Sequence, residues 1–192
     1  MKLVFATNNQ HKIKEISPLI QSSFQLLSLS DIGFSEEIPE TQLTLEGNAS
    51  QKSHFIFDKY TINCFADDTG LEIDALEGEP GVFSARYAGE GCSFQDNIDK
   101  VLFKMQGITN REARFRTVIS LILDGTEYFF EGFVKGKILT EKHGNDGFGY
   151  DPIFMPVNFN ISFAEMTLAQ KNKISHRSMA MEKLIRFLNT LK

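Results

Sequence analysis

The chain has 192 residues, 42% hydrophobic and 23% charged, with a formal net charge of -5. A chain this long buries roughly 70% of its unfolded surface, enough for a core without disulfide or metal staples. The acidic balance argues against a duplex nucleic-acid binder, which carries a basic stripe, and no stretch approaches the roughly 20 apolar residues of a membrane helix. A small anionic ligand stays open, because a few local cations suffice to hold one.

Leu3 to Ala6 is a short apolar run bounded by polar residues and reads as a buried strand. Ile13, Ile16 and Ile20 follow at helical spacing, and Pro18 predicts a kink or early stop there, since it removes a backbone bond. Gln25 to Leu29 reads as a second strand. A helix is expected from near Thr44 towards Lys59, with Leu45, Ala49 and Ile56 on one face. Ile62 to Ala66 reads as a strand ending at Asp67-Asp68. Ser93 with Asp96 resembles a capping box, and Phe94, Ile98, Val101, Leu102 and Met105 mark the helix behind it. Ala113 to Leu123 and Glu127 to Leu139 are β-rich, with Asp124-Gly125-Thr126 as a hairpin turn. Gly144 to Gly149 is a glycine-rich loop, and Met181, Leu184, Ile185, Leu188 and Leu191 line a last helix. The pattern is α/β with a mixed sheet flanked by helices and one long β-hairpin. No linker rich in Pro, Gly or Ser marks independent domains.

Cys64 and Cys92 lack CxxC or CxxxH spacing, and the N-terminal apolar run is too short for a secretory signal. The expectation is reduced thiols in a cytoplasmic protein. Cys64, inside an apolar run, reads as structural.

Three distant segments carry chemistry. Thr7-Asn8-Asn9-Gln10-His11-Lys12 lies where a strand hands over to a helix. Backbone N–H groups at a helix start attract phosphate, and Lys12 adds a charge. Taken alone it is more simply a capped helix start with a solvated lysine. Asp67-Asp68 follows a strand, and successive strand side chains face opposite ways. Only one aspartate should therefore face a given site, where it suits Mg²⁺, which takes one or two carboxylates besides phosphate oxygens. Its plain alternative is a loop with two surface acids. Glu36, Glu37 and Glu40 form an acidic cluster upstream, any of which is a candidate second ligand. Lys52 either snorkels or points into a cleft. Gly147-Phe148-Gly149-Tyr150-Asp151-Pro152 combines bare backbone with a ring that can stack on a base, or makes a tight turn around a core ring. Ser175-His176-Arg177 opens the last helix. Arg177 offers a fork of donors, and a surface His-Arg pair is the plain alternative.

These segments, in this order, resemble the family of inosine triphosphate pyrophosphatases, house-cleaning enzymes for non-standard purine nucleotides. The resemblance runs over nearly the whole chain: Thr7-x-Asn9-x-x-Lys12, Glu40-Thr41 with Asn48-Ala49 and Lys52, Ala66 to Leu71, Pro80-Gly81 with Ser84-Ala85-Arg86-Tyr87-Ala88-Gly89, Gly147 to Pro152, and Ser175-His176-Arg177. Thr69 stands where many members carry serine, which keeps the hydroxyl.

The resemblance implies cleavage of ITP, dITP or XTP between the α and β phosphates, giving the monophosphate and pyrophosphate with Mg²⁺ as cofactor. It implies that Thr7, Asn8, Asn9, Gln10, His11 and Lys12 hold the triphosphate. Asp68 and Lys52 would be catalytic, with Asp68 and Glu40 at the metal, and Thr69 would contact substrate. Phe148, Gly149, Tyr150 and Asp151 would shape the base and sugar pocket, while Lys171, His176 and Arg177 read the purine's oxygen side. It also implies an elongated sheet with two lobes around a central cleft, and a homodimer with no nucleic-acid or membrane partner. Two rivals remain: a pyrophosphatase for modified pyrimidine nucleotides, and a nucleotide-binding module without catalysis.

Overall fold

The structure, a computed structural model, describes residues 1–20 and 24–191. Twelve regular elements follow in chain order: β1 (Lys2–Phe5), α1 (Gln10–Ile20), β2 (Gln25–Leu27), α2 (Leu45–Tyr60), β3 (Cys64–Ile73), β4 (Pro80–Gly81), α3 (Phe94–Lys104), β5 (Glu112–Leu123), β6 (Thr126–Ile138), β7 (Phe154–Pro156), α4 (Leu168–Lys171) and α5 (His176–Asn189). The strand order is β2-β1-β3-β5-β6-β7, with β4 paired to β3. β1 runs parallel to β2 and β3, while β4 and β7 pair antiparallel with β3 and β6. The sheet is therefore mixed and the class α/β, as the alternation of apolar runs predicts.

The chain forms two compact units. The first comprises Met1–Asp68, Thr117–Gly132 and His176–Lys192; the second, Thr69–Arg116 and Phe133–Ser175. In the first, Leu3 and Phe5 of β1 join Phe65, Ile119, Leu121 and the α5 residues Met181, Leu184 and Leu188 in one apolar cluster. Val4, Ala6, Leu29, Ile56, Cys64 and Ala66 form a second. The alternation of β1 between these clusters is the two-residue period of a strand buried on both faces. Burial pushes the Cys64 thiol up to about 12, as befits a structural cysteine. In the second unit, Leu71, Ile98, Val101, Phe115, Phe154 and Phe163 form the core.

Local signals explain the element ends. The Thr44 side chain accepts from Gly47 N–H and starts α2, and the reciprocal Ser93–Asp96 box starts α3. Asp124 and Gly125 both have positive φ, 49° and 82°, the geometry of a two-residue hairpin turn matched to strand twist.

The structure corrects three sequence expectations. The second strand stops at Leu27, because Ser28 and Asp31 side chains bond locally and turn the chain into a short 3₁₀ segment. The first helix starts at Gln10 and runs through Pro18 to Ile20. The strand expected to end at Ala66 continues to Ile73. Its acidic pair looks like a terminus by composition, yet the charges are neutralised in place. The short elements β4, β7 and α4 carry too few residues for a periodic signal in the sequence.

Candidate active site

Asp67 and Asp68 sit inside β3, and the strand's alternation sends them to different partners. Asp67 is 1% exposed. Lys12 Nζ lies 2.9 Å from its Oδ1, and Arg177 Nε lies 3.1 Å from its Oδ2. Burial works to raise the Asp67 carboxyl, but Lys12, Arg177 and Lys52 outweigh it and hold it well below the usual carboxylate range. Asp68, also buried, accepts from Asn48 Nδ2 at 3.1 Å and from Lys52 Nζ at 3.4 Å. Burial, with the neighbouring Glu40 charge, pushes this carboxyl up against Lys52 and Lys12, and the Lys52 ammonium is also bonded to Glu40. Two adjacent aspartates thus have opposite proton affinities, the separation that assigns different roles to paired acids.

Lys52 is 5% exposed, so it is not a snorkelling surface lysine. It occupies one turn of α2 beyond Asn48, and the i,i+4 spacing presents both to Asp68. Glu36, at the other end of the acidic cluster, pairs with Lys59 at 2.6 Å, and Glu37 is exposed. Of the three, Glu40 is the one brought to Lys52.

Asn9 caps α1: its Oδ1 accepts from His11 N–H at 2.9 Å and Lys12 N–H at 3.4 Å. Thr7 Oγ1 accepts from Asn9 N–H at 3.2 Å. Two first-turn amides are therefore already satisfied, and the positive charge of the segment resides on Lys12. Burial lowers the Lys12 ammonium's proton affinity, aided by Lys52 and Arg177 against Asp67. Asn8 donates to the Glu36 carbonyl at 3.2 Å; Gln10 and His11 are exposed.

Arg177, 1% exposed, is bonded to Glu15 as well as Asp67. Glu15 lies one turn after Lys12 on α1. A closed chain of charges, Lys12–Asp67–Arg177–Glu15, ties α1, β3 and α5 together. His176, beside Arg177, is 3% exposed.

The remaining candidates lie in the second unit. Thr69 is half-buried on β3 directly after Asp68. Asp151 and Lys171 form a buried ion pair at 2.6 Å. Asp151 Oδ2 also accepts from Phe148 N–H at 2.9 Å, and Lys171 Nζ lies 5.3 Å from the Phe148 ring centroid. Gly147 and Gly149 have φ of 77° and 59°, and a Cβ at Gly147 would overlap the Asp151 carboxylate. The loop thus needs glycine both for its backbone and for space. Tyr150 is buried, its hydroxyl donating to Ser84 O at 2.8 Å, and burial raises that phenol. Phe94 meets Phe148 at 6.0 Å between centroids.

The donors at Asp68 suit a hard cation. Two carboxylates, Asp68 and Glu40, converge on one ammonium, and Mg²⁺ takes one or two carboxylates with phosphate oxygens and waters. Among the described residues no group of three or more His, Cys, Asp or Glu is assembled. Asn48 and Glu15 were not singled out as site residues. Their signal was present in the sequence: each lies one helical turn from a candidate lysine.

The profile of the Ham1 family matches residues 3–187. A dITP/XTP pyrophosphatase of Flavobacterium johnsoniae is 53% identical over 192 residues, covering 100% of both chains. One from Bacillus subtilis is 44% identical over 189 residues, covering 96% of each. The solved structure of the Staphylococcus aureus Ham1 protein superposes with a TM-score of 0.90 at 39% identity, covering 100% of both chains. With the profile matched over nearly the whole chain and the fold and length shared, this chain belongs to the Ham1 family.

Proposed function

We propose that this chain hydrolyses non-standard purine nucleoside triphosphates, ITP, dITP and XTP, to the monophosphate and pyrophosphate. One observation carries the reading in chemical terms: a buried carboxylate, Asp68, raised in proton affinity and held by Asn48 and Lys52. Full-length likeness to relatives called dITP/XTP pyrophosphatases supports the substrate class. A carboxylate held in one orientation beside the phosphates is suited to take a proton from water. Asn48 fixes one Asp68 oxygen, leaving the carboxylate a defined orientation. The water oxygen bonds to phosphorus, the bridge to the leaving pyrophosphate breaks, and Asp68 receives the water's proton. Lys12 and Lys52 bring positive charge to the phosphates.

Mg²⁺ is the proposed cofactor, held by Asp68 and Glu40. When bound it supplies charge neutralisation at phosphate oxygens. Base selection is assigned to the Phe148 loop with Lys171, His176 and Arg177. Hypoxanthine and xanthine present an acceptor oxygen where adenine presents an amine, and a buried donor left unmatched costs about 1–3 kcal/mol. A site built on such bonds rejects the wrong partner by roughly 10⁴-fold. Arg177 Nε and Nη1 serve Asp67 and Glu15, which fixes the orientation of its guanidinium fork.

A cytoplasmic homodimer completes the proposal. Free Cys64 and Cys92 support the reducing compartment, no helix among the described residues is long and apolar enough to cross a membrane, and the dimer rests on family resemblance. The deciding experiment is a pyrophosphate-release screen across common, deaminated and methylated triphosphates with Mg²⁺. Dominant turnover of dITP, ITP and XTP is expected. Dominant pyrimidine turnover, or tight ITP binding with no pyrophosphate released, overturns the reading.

A further inference from the structure

Helix α2 delivers Asn48 and Lys52 to Asp68, and a different face of the same helix is tied to the β5–β6 hairpin by polar side chains. Ser53 Oγ lies 2.6 Å from Ser120 Oγ on β5, and both serines are buried. Ser120 Oγ donates to Glu127 Oε1 on β6 at 2.7 Å. The other oxygen of Glu127 lies 3.3 Å from His54 Nε2, next along α2. Just beyond, Asn63 and Asp124 exchange two bonds, 3.0 and 2.8 Å, between the end of α2 and the hairpin turn.

Counting protons gives this chain a direction. Ser53 Oγ also lies 3.0 Å from the Ser50 carbonyl. Three contacts (Ser50–Ser53, Ser53–Ser120 and Ser120–Glu127) share two hydroxyl protons when Glu127 is ionised. An ionised Glu127 takes the Ser120 proton, and the Ser53 proton is then shared between Ser120 Oγ and the Ser50 carbonyl. The acceptor at Glu127 thereby links Ser53, and α2 with it, to β5 through Ser120. Burial acts against this charge, but Ser120, Ser50 and His54 outweigh it and keep the carboxyl below its usual range. A buried polar network of this kind specifies one arrangement when all its members are satisfied.

We infer that Glu127 is a positioning residue: through Ser120, Ser53 and His54 it sets the seat of α2 on the hairpin, and so places Lys52 and Asn48 against Asp68. The inference rests on the reading of Asp68 and Lys52 as catalytic, but its geometric half stands without it.

The test compares wild type with Glu127→Ala, Glu127→Gln and Ser120→Ala. Two readouts are used: steady-state kcat and KM for dITP with Mg²⁺, and acetylation of Lys52 by an activated ester, read by mass spectrometry against Lys12 as internal reference. Glu127→Ala is expected to lower kcat by about tenfold with KM within about twofold, as misplacement of a catalytic group does, and to raise Lys52 labelling relative to Lys12. Glu127→Gln retains an acceptor for Ser120 and is expected to restore both. Ser120→Ala is expected to move both readouts in the same direction by less, and it decides the matter should Glu127→Ala fail to fold. Folded variants with wild-type kcat and unchanged Lys52 labelling overturn the inference, as does a loss confined to thermal stability that Glu127→Gln fails to rescue. If the wild-type protein does not turn over dITP, the functional reading falls while the Lys52 labelling still decides the positioning.

Discussion

Asp67 and Asp68 are neighbours on β3, yet Lys12 from α1 holds the first at 2.9 Å and Lys52 from α2 holds the second at 3.4 Å. The strand's two-residue period separates a permanently ionised structural acid from one whose proton affinity burial has raised. A one-residue slip of register would exchange their environments.

Asp68→Asn keeps the shape and the Asn48 contact surface while removing the base. Turnover of dITP is expected to fall by about 10²–10⁴-fold, the usual contribution of a positioned proton acceptor. Pyrophosphate release under saturating substrate, with circular dichroism to confirm the fold, checks it. Near-wild-type kcat would remove Asp68 from the mechanism.

Asp67→Asn is a stability variant. It leaves buried Lys12 without its bonded carboxylate and Arg177 with Glu15 alone, which costs about 3–5 kcal/mol near neutral pH. The native carboxyl titrates below its unfolded value, so its contribution is complete above the unfolded pKa of about 3.9 and is lost as pH falls through the native one. The gap between wild type and variant in urea unfolding should therefore narrow as pH drops below about 4. A gap independent of pH contradicts the ion-pair account.

Gly132→Ala tests how β6 approaches α5. A Cβ there would overlap the His176 carbonyl and come within 2.9 Å of Met179 Cβ. Backbone cannot yield as a flexible side chain does, so a loss of about 1–3 kcal/mol is expected. A thermal melt equal to wild type would show that the first turn of α5 is free to move.

Phe148→Ala removes the proposed stacking face. Base–aromatic stacking contributes about 1–3 kcal/mol, so KM for dITP should rise about 5- to 150-fold. The Asp151 bond to the residue 148 amide survives in this variant, so the loop is expected to stay folded. An unchanged KM would place the base elsewhere.

Chelation tests the metal. EDTA-treated protein is expected to lose dITP turnover and to recover it on adding Mg²⁺, and Glu40→Gln should raise the Mg²⁺ concentration needed for half-maximal rate. Full activity in chelator would end the assignment of Asp68 and Glu40 as its ligands.

Much of this protein is written in one dimension. The alternating face of β1, the Ser93 capping box, the Asp124-Gly125 turn and the apolar stripe of α5 are local devices, each set by steric or hydrogen-bonding preferences within a few residues. The ordered motifs likewise announce the family. The sequence also foretold that Asp67 and Asp68 would face opposite ways, because that follows from strand geometry alone. It did not tell which cation each would meet, nor that β3 would carry two charges through its middle. Those outcomes depend on Lys12, Lys52 and Arg177 arriving from α1, α2 and α5, at separations of 55, 16 and 110 residues. Pairing at such distance is decided by packing, and only packing could turn Asp68 into the more basic acid, leave Glu15 as the far anchor of Arg177 and select Glu40 rather than Glu36 for Lys52.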